Sequence, residues 1–449
     1  MEVSETMKIL SLQNSFVVII VTAFVDYDIF VFLSLIALML LYKSNNDIKF
    51  GRHHKKIITL QTIFFLIVMR LLPIFKNSLL YLYNMFSQQN YLYLDGKFYS
   101  ENILLDFQTF LFQMYCNQIP EKTNQYYIRF SGDAIECPYR GYGTAVDFIS
   151  FNGDIWITTL MFAFISFILI VWIYLESIKD LNEKSFIFVT LFFLSPPVNF
   201  ALFRLNIDLI IFISLYFIHT RKLNILIRNI LLLFFTLIKI YPIVFLIGYT
   251  IIDIFKSNNF RHFINYIFSI IGIIYLIYDN LKSNTLGDRL IRTESYRAYG
   301  LANDSLYISE LLNISKNTVF LILLMLSILF GIFVFQKFEL SSLKIEIIPY
   351  VLLFIFSGLF ANYDYRLIFL FFVIKSLVSN KNTLVLTSFF VFLYSSPNLM
   401  YAYERLYKIN TNDEIYYFDL LFYIIFSVSI AILIHLINLF KINLFKIEK

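Results

Sequence analysis

Long, nearly uninterrupted apolar stretches fill this sequence, and they limit both its fold and its solvent. They run over 13–42, 57–84, 153–175, 185–203, 206–220, 223–239, 241–255, 261–279, 317–335, 345–361, 365–380, 382–398 and 416–440. A helix needs about 20 consecutive apolar residues to cross a bilayer. The stretches are continuous rather than alternating, which argues against a membrane β-barrel. Hydrophobic residues make up 59% of the chain and charged residues 15%, against about 45–50% and about 25% in soluble domains. No single water-soluble core hides that much apolar surface, so an ordinary soluble enzyme, a disordered chain and a disulfide scaffold are excluded. The expected fold is all-α: a polytopic integral membrane protein of about 11–13 transmembrane helices. Residues 1–449 are read as one integral membrane domain with two long loops, 85–152 and 280–316.

The placement of Lys and Arg gives the sides. One set of short connections is basic: 43–56 with Lys43, Lys49, Arg52, Lys55 and Lys56, and 219–229 with Arg221, Lys222 and Arg228. Lys179 and Lys184, Lys256 and Arg261, Lys337 and Lys344, Lys381, and the tail with Lys441, Lys446 and Lys449 fall on that side too. Positive connections stay in the cytoplasm, so both long loops are expected outside. Thirteen spans would put the N-terminus outside as well. Glu2 and Glu5 make that end acidic, and no small-residue cleavage site follows, so no cleavable signal peptide is expected. Within the first long loop, Ile103, Leu104, Phe107, Phe110, Leu111 and Met114 recur at helical spacing. They predict an amphipathic helix lying on the membrane.

Ionisable residues at membrane depth are costly and point to function. Arg204, Asn206 and Asp208 lie in SPPVNFALFRLNIDLIIF, Lys239 in LIKIYPIVF, and Asn362, Asp364 and Arg366 in FANYDYRLIFLF. These segments are far apart in sequence, yet all map to the outer boundary. The polar interruptions at 204–206 and 239–242 fit tight helical hairpins. Helix-end charges also anchor interfaces, and Arg204 and Asp208, four residues apart, could pair with each other. As a cluster, the three cations suit a lipid phosphate or pyrophosphate. A loop carboxylate then serves as general base on an acceptor hydroxyl; Asp95, Asp106, Asp133 and Asp147 are the candidates.

No P-loop, G-x-G-x-x-G, H-E-x-x-H or C-x-x-C occurs, and the five His do not cluster at metal spacing. Asp26 and Asp28 share D-x-D spacing inside the first apolar run. Twelve Gly and eight Pro are few for the broken helices and close packing of many transporters. Cys116 and Cys137 both fall in the first long loop, where a bridge or two free thiols are both open.

Three segments resemble bacterial members of the GT-C superfamily, multi-pass glycosyltransferases that use polyprenyl-phosphate sugars. They are SPPVNFALFRLNIDLIIF at 195–212, LIKIYPIVFLI at 237–247 and NYDYRLIFLF at 362–371. The branch is the one with the mycobacterial phosphatidylinositol-mannoside mannosyltransferases. Its pattern runs as an R-G-N-x-D hairpin, a K-x-x-P hairpin and a late Y-R. Here these read Arg204-Leu205-Asn206-Ile207-Asp208, Lys239-Ile240-Tyr241-Pro242 and Tyr365-Arg366, with Leu205 in place of the usual Gly. The family also places an Asp early in its first large outer loop, followed by aromatics and a Tyr/Pro-rich turn. Asp106-Phe107 and Cys137-Pro138-Tyr139-Arg140-Gly141-Tyr142-Gly143 look like that arrangement. The likeness covers about 57–400, and 1–56 is an addition.

The resemblance implies a plasma-membrane enzyme with an extracytoplasmic site and a lipid-phosphate sugar donor. A hexose, mannose-like, is expected to pass with inversion to a lipid-linked or surface glycan acceptor. Asp106 is assigned as general base. Arg204, Lys239 and Arg366 hold the donor phosphate, and Asn206, Asp208, Tyr139, Tyr142, Tyr365 and Asp364 shape the site. The expected partners are membrane lipid, donor and acceptor, with no nucleic acid. No cofactor is named, and a divalent metal stays open. The competing readings are a polysaccharide polymerase or lipid-oligosaccharide ligase with a pyrophosphate-linked donor, and a lipid or glycan transporter.

Overall fold

The computed structural model describes residues 55–64, 66–67, 105–116, 125–127, 134–136, 144–179, 181–195, 197–198, 201–202, 205–221, 223–239, 241–255, 259–283, 298–299, 301, 305, 308–309, 312–337, 345–359, 362–378 and 426–438. These are helical apart from two short antiparallel β pairings. The elements named here are α1 (Leu105–Cys116), β1 (Gln125–Tyr127), β2 (Ala134–Glu136), α2 (Ile155–Ser177), α3 (Glu183–Leu194), α4 (Ile207–Arg221), α5 (Ile225–Ile238), α6 (Ile243–Phe255), α7 (Asn259–Ser283), β3 (Ala298–Tyr299), α8 (Lys316–Lys337), α9 (Ile348–Leu359), β4 (Asn362–Tyr363), α10 (Leu370–Val378) and α11 (Phe426–Asn438). Three 3-10 turns, Thr144–Phe148, Ile345–Ile347 and Asp364–Phe369, precede α2, α9 and α10.

The helices begin where short polar side chains stand ready to take their first N–H groups. Asp154 caps α2 by accepting from Ile157 N–H at 2.8 Å, and Asn182 caps α3 through Ser185 N–H at 2.8 Å. Asn224 caps α5 through Leu226 N–H at 2.9 Å. Each such cap contributes about 1 kcal/mol. Most of the apolar segments expected from 153 to 380 appear as helices; that expected over 185–203 gives α3, which ends at Leu194, and that expected over 365–380 is α-helical only from Leu370.

Two helices, Ile157–Ser177 and Lys316–Gln336, are long and apolar enough to cross a membrane. Their apolar stretches are only 33% and 28% buried. α7 has 25 residues but its apolar stretch covers only Phe263–Tyr278, and the other apolar helices among the described residues are shorter. The 15 residues of α4 reach about 22 Å at 1.5 Å per residue. Turns at Leu205–Asn206 and Tyr241–Pro242 stand before α4 and α6 and limit their length.

Aromatic rings run through a mainly aliphatic interior. The Phe371 ring of α10 lies 5.3 Å from Phe192 and 5.6 Å from Phe193 of α3, and 5.7 Å from Phe212 of α4. Tyr350 of α9 stacks on Phe372 at 4.2 Å. Offset and edge-on pairs add about 0.5–1.5 kcal/mol each beyond area. α6 packs against both α7 and α9. α6 and α9 come close at Gly248, where an added Cβ would lie 2.6 Å from Pro349 Cα.

α1 corrects one expectation. A helix does form over Leu105–Cys116, but it does not lie on a surface with one face in water. Its described side chains are buried nearly all round, including Gln108 at 0% and Gln113 at 1% exposure. It packs on α2 and on Thr144–Phe148, and Phe107 stacks on Phe162 at 4.4 Å. Ile103 and Leu104 lie outside the described residues; from Phe107 on, the apolar residues and the intervening glutamines alike face protein.

At one end of the helices sits a buried polar network. Arg228 of α5 donates to Asn265 Oδ1 of α7 at 2.6 Å and lies 3.4 Å from Asp253 Oδ2 of α6. Asn229 donates to Asn265 Oδ1 at 2.6 Å, Asn265 donates to Asp253, and the guanidinium sits 4.2 Å from the Tyr249 ring centroid. Nearby chain connections gather at the same end. Lys55 Nζ donates to the Leu181 carbonyl at 3.0 Å, and Arg221 lies 3.6 Å from Glu176.

Candidate functional site

The opposite end of α4, α5 and α6 carries the residues singled out from the sequence. The turn before α4 is set by the backbone. Asn206 N–H bonds the Ala201 carbonyl at 3.2 Å and Leu205 N–H bonds the Leu202 carbonyl at 3.3 Å. This pair of bonds closes a helix C-terminus through one residue in the left-handed region. Leu205 is that residue, with φ 49°. A Cβ in that conformation costs about 1–2 kcal/mol. Burial of the Leu205 side chain, 1% exposed, offsets the strain.

Asn206 then opens α4. Its Oδ1 accepts from Asp208 N–H at 2.9 Å, and its carbonyl accepts from Leu209 N–H at 2.9 Å. The same Oδ1 accepts from Lys239 Nζ at 3.0 Å. Lys239 Nζ also donates to Asp208 Oδ1 at 2.6 Å. Lys239 is the C-cap of α5, held by its N–H to the Phe235 carbonyl at 2.8 Å. The carboxylate therefore sits at a helix N-terminus and the ammonium at a helix C-terminus, each at the end its charge favours. Asp208 is 0% exposed and the Lys239 side chain 13%. At this burial neither charge is tolerable without the other.

Pro242 follows directly, one residue before α6, where its missing N–H leaves no donor unsatisfied. Tyr241 is buried with its ring 5.7 Å from Phe369. Phe369 ends the Asp364–Phe369 turn that carries Tyr365 and Arg366, and its ring lies 6.4 Å from Phe212 of α4. One ring thus joins the three sequence motifs. β3 pairs with β4, Ala298 opposite Tyr363 and Tyr299 opposite Asn362, so the second long loop meets the chain two residues before Tyr365.

The first long loop reaches the same end. Ala145 N–H donates to Tyr275 Oη at 2.9 Å, and Tyr275 donates to the Leu237 carbonyl at 3.0 Å, two residues before Lys239. Thr144–Phe148 packs on α5 and on α1, which carries Asp106. Cys116, at the end of α1, is disulfide-bonded; the chain's other cysteine, Cys137, lies outside the described residues.

Asn206, Asp208 and Lys239 are therefore brought together by direct bonds. Arg204, Tyr139 and Tyr142 lie outside the described residues, as do Asp95 and Asp133. For Asp106, Asp147, Asp364, Tyr365 and Arg366 the backbone is described, and it runs in the elements just named. Among the described residues no group of three His, Cys, Asp or Glu comes together as a metal site. Sequence reasoning missed Tyr275, which stands inside an apolar run, and the Arg228–Asp253–Asn265 network. For the network the signal was present: Asn229, Asp253 and Asn265 interrupt apolar helices three in a row.

Compared with protein families, curated proteins and solved structures, the chain matches none.

Proposed function

We propose that the chain is a polytopic membrane glycosyltransferase of the GT-C type. It moves a hexose from a polyprenyl-phosphate donor to a glycan or glycolipid acceptor on the extracytoplasmic face of the plasma membrane, with inversion. The observation that carries this reading is the Lys239–Asp208–Asn206 arrangement at the helix ends where both long loops arrive. A fixed, largely buried ammonium beside hairpin turns suits a phosphate whose negative charge grows as the sugar leaves. Because Asp208 offsets Lys239, net positive charge falls to Arg204 and Arg366, and Lys239 orients. Asp106 is the general base that takes the acceptor proton.

Membrane embedding is supported by the exposed apolar surface. Ile157, Met161, Phe164 and Ile168 of α2, Ile270, Ile274 and Ile277 of α7, and Leu321, Met325 and Leu329 of α8 all face outward. Water-soluble monomers rarely expose contiguous apolar patches beyond a few hundred Å². Sidedness is supported by the gathering of Lys55, Arg221 and Arg228 at the end away from Lys239. A disulfide at Cys116 fits an oxidising compartment on the loop side.

Donor binding tests the reading directly. Protein in nanodiscs titrated with polyprenyl-phosphate mannose should bind it, and Arg366→Ala should weaken binding at least tenfold. Equal binding by wild type and Arg366→Ala would remove the phosphate assignment.

A further inference from the structure

We propose that Tyr275 is a positioning residue: its hydroxyl latches the end of the first long loop to the Lys239 end of α5. The inference rests on the proposed transferase reading for its consequence in turnover, and on geometry alone for the latch.

The hydroxyl makes two bonds at once. Its oxygen accepts from Ala145 N–H at 2.9 Å, and its proton goes to the Leu237 carbonyl at 3.0 Å. A phenol supplies one donor and has lone pairs to accept, so both bonds form together. Both partners are helix-end groups. Ala145 lies in the first turn of Thr144–Phe148, where N–H groups lack partners within the turn. Leu237 lies in the last turn of α5, where carbonyls lack them for the same reason. One side chain from α7 thus completes the ends of two other elements.

The consequence follows from what lies on each side. Behind Leu237 comes Lys239, bonded to Asp208 and Asn206. Ala145 belongs to the last part of the loop 85–152, and Thr144–Phe148 also packs on α1, whose second residue is Asp106. Tyr275 therefore ties the base-bearing side of the loop to the phosphate-facing side of the helices. When the loop accepts a substrate, this latch fixes its distance from Lys239. Its loss should weaken acceptor capture more than it slows chemistry.

The test compares Tyr275→Phe with wild type in nanodiscs. The ring stays, and the bonds to Ala145 and Leu237 are lost. Amide exchange over 144–150 should rise about tenfold, the loss of bonds each contributing a factor of a few to about ten. Ala145→Pro removes the loop's donor from the other side and should expose 146–150 to a similar degree. Combining it with Tyr275→Phe should add nothing beyond Tyr275→Phe alone, because the two share one bond. Unchanged exchange in Tyr275→Phe overturns the latch, whatever the activity.

Turnover is then read with polyprenyl-phosphate mannose as donor and octyl mannoside as acceptor. KM for the mannoside should rise about tenfold with kcat within about threefold. A fall in kcat at unchanged KM would mean that Tyr275 merely stabilises the fold, and it overturns the positioning role. No transfer by wild type would defeat the transferase reading, while the exchange measurement still decides the latch.

Discussion

Lys239 Nζ lies 2.6 Å from Asp208 Oδ1, and this bond ties the C-terminal end of α5 to the N-terminal end of α4. The partners are 31 residues apart. A local reading sees Arg204 four residues before Asp208 instead. Removing one member of such a buried pair strands the other charge. Asp208→Asn should therefore lower unfolding free energy by about 3 kcal/mol. Replacing both together, Asp208→Leu with Lys239→Met, should recover much of that loss. Thermal unfolding of the three proteins in the same detergent measures it. A double variant as unstable as Asp208→Asn would show that the pair matters through something other than charge compensation.

Leu205 gives a second prediction, because its φ of 49° reverses the usual order of small residues. In a helix interior Gly is worse than Ala by about 0.5–1 kcal/mol. At a left-handed helix end the Cβ of Ala carries the strain and Gly does not. Both substitutions lose the buried leucine side chain. Leu205→Gly should therefore be more stable than Leu205→Ala by about 1 kcal/mol, read from the difference between their denaturation curves. The opposite order would mean that this turn is not held in the left-handed region.

Two glycines separate backbone contact from side-chain contact. At Gly248 the obstacle is Pro349 Cα, which moves only if α6 and α9 part. Gly248→Ala should cost about 1–3 kcal/mol. At Gly272 the nearest atom is the flexible Cδ1 of Ile243, with the next at 3.7 Å. Gly272→Ala should stay within about 1 kcal/mol of wild type, since the better helix propensity of Ala offsets a rotated Ile. Equal costs at both positions would contradict the close α6–α9 approach.

Cys116 yields a chemical prediction. Native protein unfolded without reductant should present no alkylatable thiol, and should present two after reduction. Labelling of Cys116 before reduction would contradict the bridge.

Much of the helical layout was legible because polar residues punctuate apolar runs at Asn182, Asn206, Asn224 and Lys239, and those residues cap the helices they precede or follow. The meeting of Asn206 and Asp208 with Lys239 was foreshadowed by each motif interrupting an apolar run. The pairings within the cluster were not. Nothing in the spacing distinguishes Lys239 from Arg204 as the partner of Asp208, because the choice depends on how α4 and α5 pack. Tyr275 was hidden for a similar reason: among 32 Tyr, one in an apolar run carries no mark of the two helix ends it meets. The burial of Gln108 and Gln113 was also invisible, because a glutamine facing protein and one facing water leave the same periodicity.

Sugar transfer tests the central claim most directly. Purified protein in lipid is given a panel of polyprenyl-phosphate sugars with octyl mannoside as acceptor, alongside Asp106→Asn. The account predicts transfer from a polyprenyl-phosphate hexose with inversion, and a rate at least a hundredfold lower in Asp106→Asn, in line with loss of general-base catalysis at about 10²–10⁴-fold. Transfer that survives Asp106→Asn within a few-fold would contradict the base assignment, and no transfer from any donor in the panel would contradict the account as a whole.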